Sequence, residues 1–148
     1  MSAYRRILAA VDGSAAANRG LREAIRLAKA EGAGLVILHV VNEFHAYALA
    51  ENGGYVASLH GELRRAGEGI ADKARALARR SGVEAKSVLR EMFGGSVAAQ
   101  IVREAKKQRS DLIVLGTHGR RGVRRLVLGS DAEGVVRSAP VPVLLVRE

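Results

Sequence analysis

A glycine-rich loop follows an apolar run near the C-terminal end of the chain and could bind an anionic ligand. The apolar run 111–115 (DLIVL) precedes the loop 116–119 (GTHG), and nine residues separate this loop from Gly129-Ser130. Glycine lets backbone N–H groups approach a ligand closely, because it has no Cβ. A helix that begins at Ser130 would add unpaired N–H donors and a partial positive charge. Together these features predict a phosphate cradle.

The elements that must position this loop are apolar runs that alternate with amphipathic segments. Strand-like runs are predicted at residues 7–11, 35–41, 83–89, 112–115 and 141–146, and helices at about 14–31, 59–77, 97–105 and 130–137. Residues 42–55 are predicted to be a long loop or a broken helix. The alternation predicts one domain over residues 1–148. Its fold class is α/β, a doubly wound, Rossmann-like domain with four helices and a five-stranded parallel sheet in the order 3-2-1-4-5.

The predicted strand order places a ligand site at one edge of the sheet. Ligands of open α/β sheets bind beyond the carboxyl ends of the strands, where the strand order reverses, here between strands one and four. The loops 12–14 (DGS) and 116–119 would face each other there. Pro142 lacks an N–H group for the sheet, so we predict that the last strand lies at an edge.

Composition narrows the class of protein. The chain has 148 residues, 48% of them apolar, and no cysteine, which excludes disulfides and thiolate chemistry. No secretory signal pattern or membrane-spanning run is visible, so we expect a cytoplasmic protein.

The formal net charge of +9 favours anionic partners, or simply a well-solvated surface. Neither a Walker A motif nor a G-x-G-x-x-G fingerprint follows the first strand.

The chain resembles, over its whole length, the universal stress proteins, a family of small α/β proteins with a branch that binds adenine nucleotides. Four segments carry this resemblance. They are residues 7–14 (ILAAVDGS), 39–41 (HVV), 111–120 (DLIVLGTHGR) and 139–146 (APVPVLLV). The family's nucleotide motif, G-2x-G-9x-G-[ST], is matched by Gly116, Gly119, Gly129 and Ser130. The resemblance implies that the chain binds ATP, or ADP or AMP, with or without Mg²⁺.

The resemblance also implies residue roles. Asp12 would contact the nucleoside, and Val40 or Val41 would meet the adenine through backbone groups. Gly116 and Gly119 would line the ribose and phosphates, while Gly129 and Ser130 would donate hydrogen bonds to phosphate oxygens. The nucleotide-binding residues predicted in this way are Asp12, Gly13, Ser14, Val40, Val41, Gly116, Thr117, His118, Gly119, Arg120, Gly129, Ser130 and Asp131. No residue is predicted to be catalytic or to ligate a metal.

Several of these residues have a second interpretation. Asp12 could be a turn or cap residue, and the sequence 130–133 (SDAE) matches a capping box in which Ser130 caps its own helix. Asp131 could point away from the crevice, or into it, where it would weaken phosphate binding or help to hold a metal ion. Arg120, Arg121, Arg124 and Arg125 could neutralise phosphates, bind an acidic partner or lie in a solvated loop. His39 is interpreted as a buried structural residue, and His45 and His60 show no metal-binding spacing.

Three function classes follow. The first is a stress or regulatory protein that binds an adenine nucleotide and acts through a protein partner that the sequence does not identify. The second is a slow ATPase or an autophosphorylating enzyme. The third, binding of nucleic acid through the arginines, ranks last because no stacking aromatics accompany them. The apolar last strand, residues 143–146 (VLLV), together with the family resemblance, predicts a homodimer.

Overall fold

A computed structural model describes residues 1–43, 54–118 and 128–148, and in these ranges the chain forms the predicted α/β fold. The strands are β1 (Arg6–Ala10), β2 (Gly34–Asn42), β3 (Ala85–Met92), β4 (Leu112–Gly116) and β5 (Val143–Val146). The helices are α1 (Ala15–Glu31), α2 (Gly54–Arg80), α3 (Val97–Lys107) and α4 (Ser130–Ser138). All neighbouring strands are parallel, and their order is β3-β2-β1-β4-β5, which confirms the prediction.

Two apolar cores lie on the two faces of the sheet. Alternate residues of each buried strand point to opposite faces. In β1, Ile7 and Ala9 belong to the core under α1 and α2, whereas Leu8 belongs to the core under α3 and α4. The helices therefore cover both faces, as the near-continuous apolar strands indicate.

The helix ends follow local sequence signals. The Ser14 hydroxyl accepts a hydrogen bond from the Ala17 N–H at 3.2 Å and caps α1. Gly32 ends α1 with a left-handed φ of 65°, which glycine adopts without strain. Ser96 caps α3 in the same way as Ser14, through the Ala99 N–H at 3.2 Å.

Three predicted boundaries differ from the structure. β3 runs from Ala85 to Met92 rather than over 83–89, since Val83 is buried in the core under α1 and α2 before the strand begins. β5 begins at Val143 rather than at 141, because Pro142 cannot donate to β4; its carbonyl instead accepts from the Ile113 N–H at 3.0 Å. α2 already begins at Gly54, inside the segment that is predicted to be irregular, and residues 44–53 of that segment lie outside the described residues.

A membrane-spanning helix is not found among the described residues.

Candidate functional site

A cavity of about 590 Å³ opens at the carboxyl edge of the sheet, where the strand order reverses between β1 and β4. This is the position that the topology predicts for a ligand, and the volume lies within the range of about 300–1,000 Å³ that is usual for small-molecule sites. The wall is formed by Ala10, Val11, Asp12, Ala17, Leu38, Val40, Asn42, Val97, Ile101, Leu115, Gly116, Thr117, His118, Leu128, Gly129, Ser130, Asp131, Ala132 and Glu133.

The loop after β1 places Asp12 on the cavity wall. One carboxylate oxygen of Asp12 accepts a hydrogen bond from the Ser14 N–H at 2.9 Å, which closes an Asx turn. Asp12 is half-buried and is therefore both a turn residue and a wall residue. Gly13 and Ser14, in contrast, do not line the cavity; Gly13 has a φ of 83°, and Ser14 caps α1.

Gly116 brings the first turn of α1 against the end of β4. A Cβ at this position would lie 2.5 Å from the Ala16 carbonyl carbon and 2.7 Å from the Ala17 nitrogen. Both are backbone atoms that no side-chain rotation can move away. The first role of Gly116 is thus to let a helix and a strand approach closely, and it also lines the cavity.

The second glycine element begins α4 in a way that differs from the prediction. The Gly129 N–H donates to the Thr117 carbonyl at 2.9 Å, so this group is not a donor to a ligand. Gly129 is the N-cap residue, and α4 makes no side-chain capping bond, so the capping-box interpretation of Ser130 is wrong. Because the helical bonds begin with the Glu133 N–H to the Gly129 carbonyl at 2.9 Å, the N–H groups of residues 130–132 are not used within the helix.

The opposite wall of the cavity is apolar and comes from β2, β4 and α3. Leu38 and Val40 point to this face of the sheet, and Val97 and Ile101 come from α3. Val41 points to the other face: a Cβ on Gly67 of α2 would lie 2.8 Å from its Cγ2. Val41 is therefore not a wall residue, because side chains alternate along a strand.

His39 lies on the same face as Val41 and is buried. Its Nδ1 lies 2.7 Å from the Val11 carbonyl oxygen. The interpretation of His39 as a structural residue is confirmed.

A buried ion pair fixes α3, and with it the apolar wall, to the sheet. Glu104 of α3 has a side chain that is 2% exposed, and its carboxylate accepts two hydrogen bonds from the Arg90 guanidinium of β3, at 2.8 and 3.0 Å. Gln108 donates a third at 2.6 Å. The hydrogen bonds from Arg90 hold the pKa of the Glu104 carboxyl below its ordinary value and outweigh the opposing effect of burial.

The charged groups on the described wall are mostly acidic. Asp12, Asp131 and Glu133 all lie there, and Glu133 pairs with Arg137 at 2.7 Å on the exposed side of α4. His118 contributes a buried Nδ1 that has no hydrogen-bond partner among the described residues. Buried polar atoms are nearly always paired, so this unpartnered nitrogen is an exception in the part of the chain that the structure describes.

The structure brings most of the predicted residues together. Those that line the cavity are Asp12, Val40, Gly116, Thr117, His118, Gly129, Ser130 and Asp131. Gly119 and Arg120, with Arg121, Arg124 and Arg125, lie outside the described residues.

Apart from Val40, sequence reasoning missed the apolar wall, and it also missed Asn42 and Glu133. The period-two alternation 38-40-42 in β2 could have placed Asn42 on the same face as the predicted Val40.

Comparison with known proteins decides the family. The model of the universal stress protein family matches residues 3–147. The chain belongs to the universal stress protein family. A relative within it, the universal stress protein MJ0531 of Methanocaldococcus jannaschii, is 34% identical over 147 residues, which cover 98% of this chain and 83% of the relative.

Solved structures of this family share the fold. Universal stress protein UspA from Lactobacillus plantarum is 27% identical with a TM-score of 0.81, and the match covers 99% of this chain and all of that one (100%). A universal stress protein in complex with cAMP (24% identical, TM-score 0.68, covering 99% and 98%) and one from Archaeoglobus fulgidus in complex with dAMP (23% identical, TM-score 0.63, covering 99% of each) match as well. Some structural neighbours in this family thus bind adenine nucleotides.

Proposed function

We propose that this universal stress protein binds an adenine nucleotide, ATP with Mg²⁺, and acts as a regulatory binding module. The observation that carries the proposal is the cavity at the β1–β4 reversal, which combines an apolar wall with the first turn of a helix. A nucleotide has the same two parts, since its base is flat and mostly apolar and its phosphates are anionic. The relatives solved with cAMP and dAMP support the same ligand class.

The phosphates are assigned to the first turn of α4. The N–H groups of Ser130 and Ala132 precede the first intrahelical bond, and the helix dipole adds a partial positive charge at this end. The base is assigned to the wall formed by Leu38, Val40 and Ile101, which has no charged group.

The acidic wall residues explain why the proposal includes a divalent cation. Asp12, Asp131 and Glu133 would repel a triphosphate, and a Mg²⁺ held by these carboxylates would offset this repulsion. The arginines at 120–125 are a second source of positive charge in this proposal.

Binding rather than rapid turnover is proposed because the described wall holds no activated nucleophile. Neither Thr117 nor Ser130 donates its hydroxyl to a side-chain base within the described ranges. The Ser14 hydroxyl accepts from the Ala17 N–H at 3.2 Å and donates to the His118 carbonyl at 3.5 Å, and neither of these backbone groups is a base.

Self-association is proposed through β5. This strand ends the sheet, and its four apolar residues, Val143–Val146, are only half-buried. An apolar edge strand is open to pairing with a second copy. Sedimentation at micromolar concentration tests this; a monomer would contradict it.

The experiment that tests the proposal is a calorimetric titration of the full chain with ATP and Mg²⁺. We expect saturable binding near one nucleotide per chain. Gly129→Asp places a carboxylate at the start of α4, facing the phosphates, and should weaken binding by at least about tenfold. Gly34→Asp adds the same charge at the opposite edge of the sheet and is the matched control, because Gly34 is exposed and its Cβ would meet only the Arg5 carbonyl at 3.8 Å.

The outcomes separate the alternatives. Equal ATP affinity in wild type, Gly129→Asp and Gly34→Asp would overturn the assignment of the phosphates to α4. No binding by the wild type would overturn the proposed function. Release of ADP by the wild type that is lost in Gly129→Asp would favour a slow ATPase instead.

A further inference from the structure

A second group of chemically reactive side chains lies at the carboxyl edge of the sheet, beside β2 and β3. Glu43 directly follows β2, Glu91 lies in β3, and His60 lies on α2. One possible ligand atom from each of these three residues lies within 4.8 Å of the other two. Three separate elements thus direct an imidazole and two carboxylates to one point.

This group, the 43–60–91 cluster, is held in place by the backbone. The Glu43 N–H donates to the Met92 carbonyl at 3.0 Å, which continues the β2–β3 pairing one residue beyond the strand. His60 Nδ1 lies 2.7 Å from the nearer carboxylate oxygen of Glu43.

The 43–60–91 cluster is separate from the nucleotide cavity. Glu91 is the register partner of Val41, whose side chain packs against Gly67 of α2. Paired residues of neighbouring strands point to the same face of a sheet, so the cluster lies on the α2 face, while the cavity lies on the α3 and α4 face. None of its three residues lines the cavity.

The charge of the cluster matches a divalent cation. The Glu43 side chain is only 10% exposed, and a carboxylate at such a position requires a compensating charge or hydrogen bonds. The two carboxylates carry two negative charges, which one divalent ion balances.

The positively charged side chain of Arg64 contacts the cluster, and it also has a partner outside the cluster. Its Nε lies 3.4 Å from a carboxylate oxygen of Glu91 and 3.4 Å from one of Glu68. Arg64 can therefore stay paired with Glu68 when Glu91 turns to an ion.

We infer that Glu43, His60 and Glu91 form a binding site for a divalent transition-metal ion, and that Zn²⁺ suits its donors best. One imidazole nitrogen with two carboxylate oxygens is a three-ligand zinc set that leaves a position for water or another ligand. Tetrahedral ligands at about 2.1 Å from zinc lie about 3.4 Å apart. The 2.7 Å distance between His60 Nδ1 and the Glu43 carboxylate must therefore increase, and the longer distances within the cluster, which reach at most 4.8 Å, must decrease, each by about an ångström. Side-chain rotations provide such shifts without moving the backbone.

The test is a calorimetric titration of the chelator-treated full chain with ZnCl₂. We expect one Zn²⁺ per chain. His60→Ala and Glu91→Gln should each weaken binding by about 100-fold or more, since loss of an outer-shell partner already costs about 10- to 100-fold. Glu91 is exposed, so Glu91→Gln should fold normally and keeps the test valid if His60→Ala is unstable.

Glu62→Gln is the matched control, because Glu62 lies two residues beyond His60 on α2, is exposed and does not belong to the cluster. This variant should keep a Zn²⁺ affinity within about twofold of wild type. Loss of a ligand, in contrast, should weaken Zn²⁺ binding by about 100-fold or more. No Zn²⁺ binding by the wild type, or binding that survives both His60→Ala and Glu91→Gln, would overturn the proposal. Equal weakening by Glu62→Gln would also overturn it, because the effect would then be one of overall surface charge.

Discussion

Gly116 gives the sharpest prediction, because the structure assigns to it a packing role that can be separated from ligand binding. In Gly116→Ala, the new methyl group would lie 2.5 Å from the Ala16 carbonyl carbon, about 0.9 Å inside the 3.4 Å at which ordinary contact begins. The neighbouring atoms belong to the backbone of α1, so the helix must move relative to β4. Overpacking of this kind costs about 1–3 kcal/mol, and rigid neighbours favour the upper end of that range.

Chemical and thermal unfolding of Gly116→Ala, without ligand, measures this cost. A loss of about 3 kcal/mol lowers the Tm of a chain of this size by about 6–12 °C. Gly69→Ala is the matched control: Gly69 lies inside α2, and a Cβ added there would have no neighbouring atom within 4 Å. The same substitution should there stabilise the fold by about 0.5–1 kcal/mol, because alanine restricts the unfolded chain more than glycine does. If Gly116→Ala unfolds with the same free energy as wild type while Gly69→Ala is stabilised, the packing role of Gly116 would be refuted.

Three further predictions concern the charges around the site. Glu104→Gln should lower the free energy of unfolding by about 1–2 kcal/mol at pH 7, because the Arg90 side chain, which is 33% exposed, loses its carboxylate partner. Because the pKa of Glu104 is lowered in the folded protein, its contribution to the free energy of unfolding is complete above the ordinary pKa of about 4.3 and is lost as the pH falls through the lowered value. The free energies of unfolding of wild type and Glu104→Gln, measured in urea, should therefore converge in acid. A difference between them that stays constant with pH would contradict this. Gly129→Asp should keep its unfolding free energy within about 0.5 kcal/mol of wild type, because a φ of −57° suits any residue and Asp is a good N-cap; clear destabilisation would contradict the geometry of α4. Asp131→Asn should tighten ATP binding about fivefold without Mg²⁺, since a charge at 4 Å in water is worth about 1 kcal/mol, and unchanged affinity would show that its carboxylate is remote from the phosphates.

The fold was predictable from the sequence because the signals are local and mutually consistent. The apolar runs at 7–11 and 35–41 are long enough to be buried on both faces, and Ser14, Gly32 and Ser96 mark helix ends by hydrogen bonds to their own neighbours. Errors occurred where the cause is not local. Pro142 shortens β5 because of a missing donor to β4, a strand about thirty residues earlier.

The candidate site was only partly predictable. The loops 12–14 and 116–119 could be found because glycines and polar residues follow apolar runs. The apolar wall could not be separated from ordinary core, since Leu38 and Ile101 look the same in sequence whether they face a cavity or a helix. The backbone bond from Gly129 to Thr117, which removes one expected phosphate donor, depends on the path of the chain through space.

The 43–60–91 cluster could not be read from the sequence either. Its residues are spaced by 17 and 31 positions and meet only because β2, α2 and β3 are packed together. Metal-ligand spacing is informative when the ligands share one helix or one loop, and here each comes from a different element.

Occupancy of the cavity by an adenine nucleotide is tested most directly by denaturing freshly purified full-length protein and identifying any released small molecule by chromatography and mass. We expect ATP in near-stoichiometric amount from the wild type and little from Gly129→Asp. A wild-type protein that releases no nucleotide and shows no saturable binding of ATP with Mg²⁺ would contradict the proposed function.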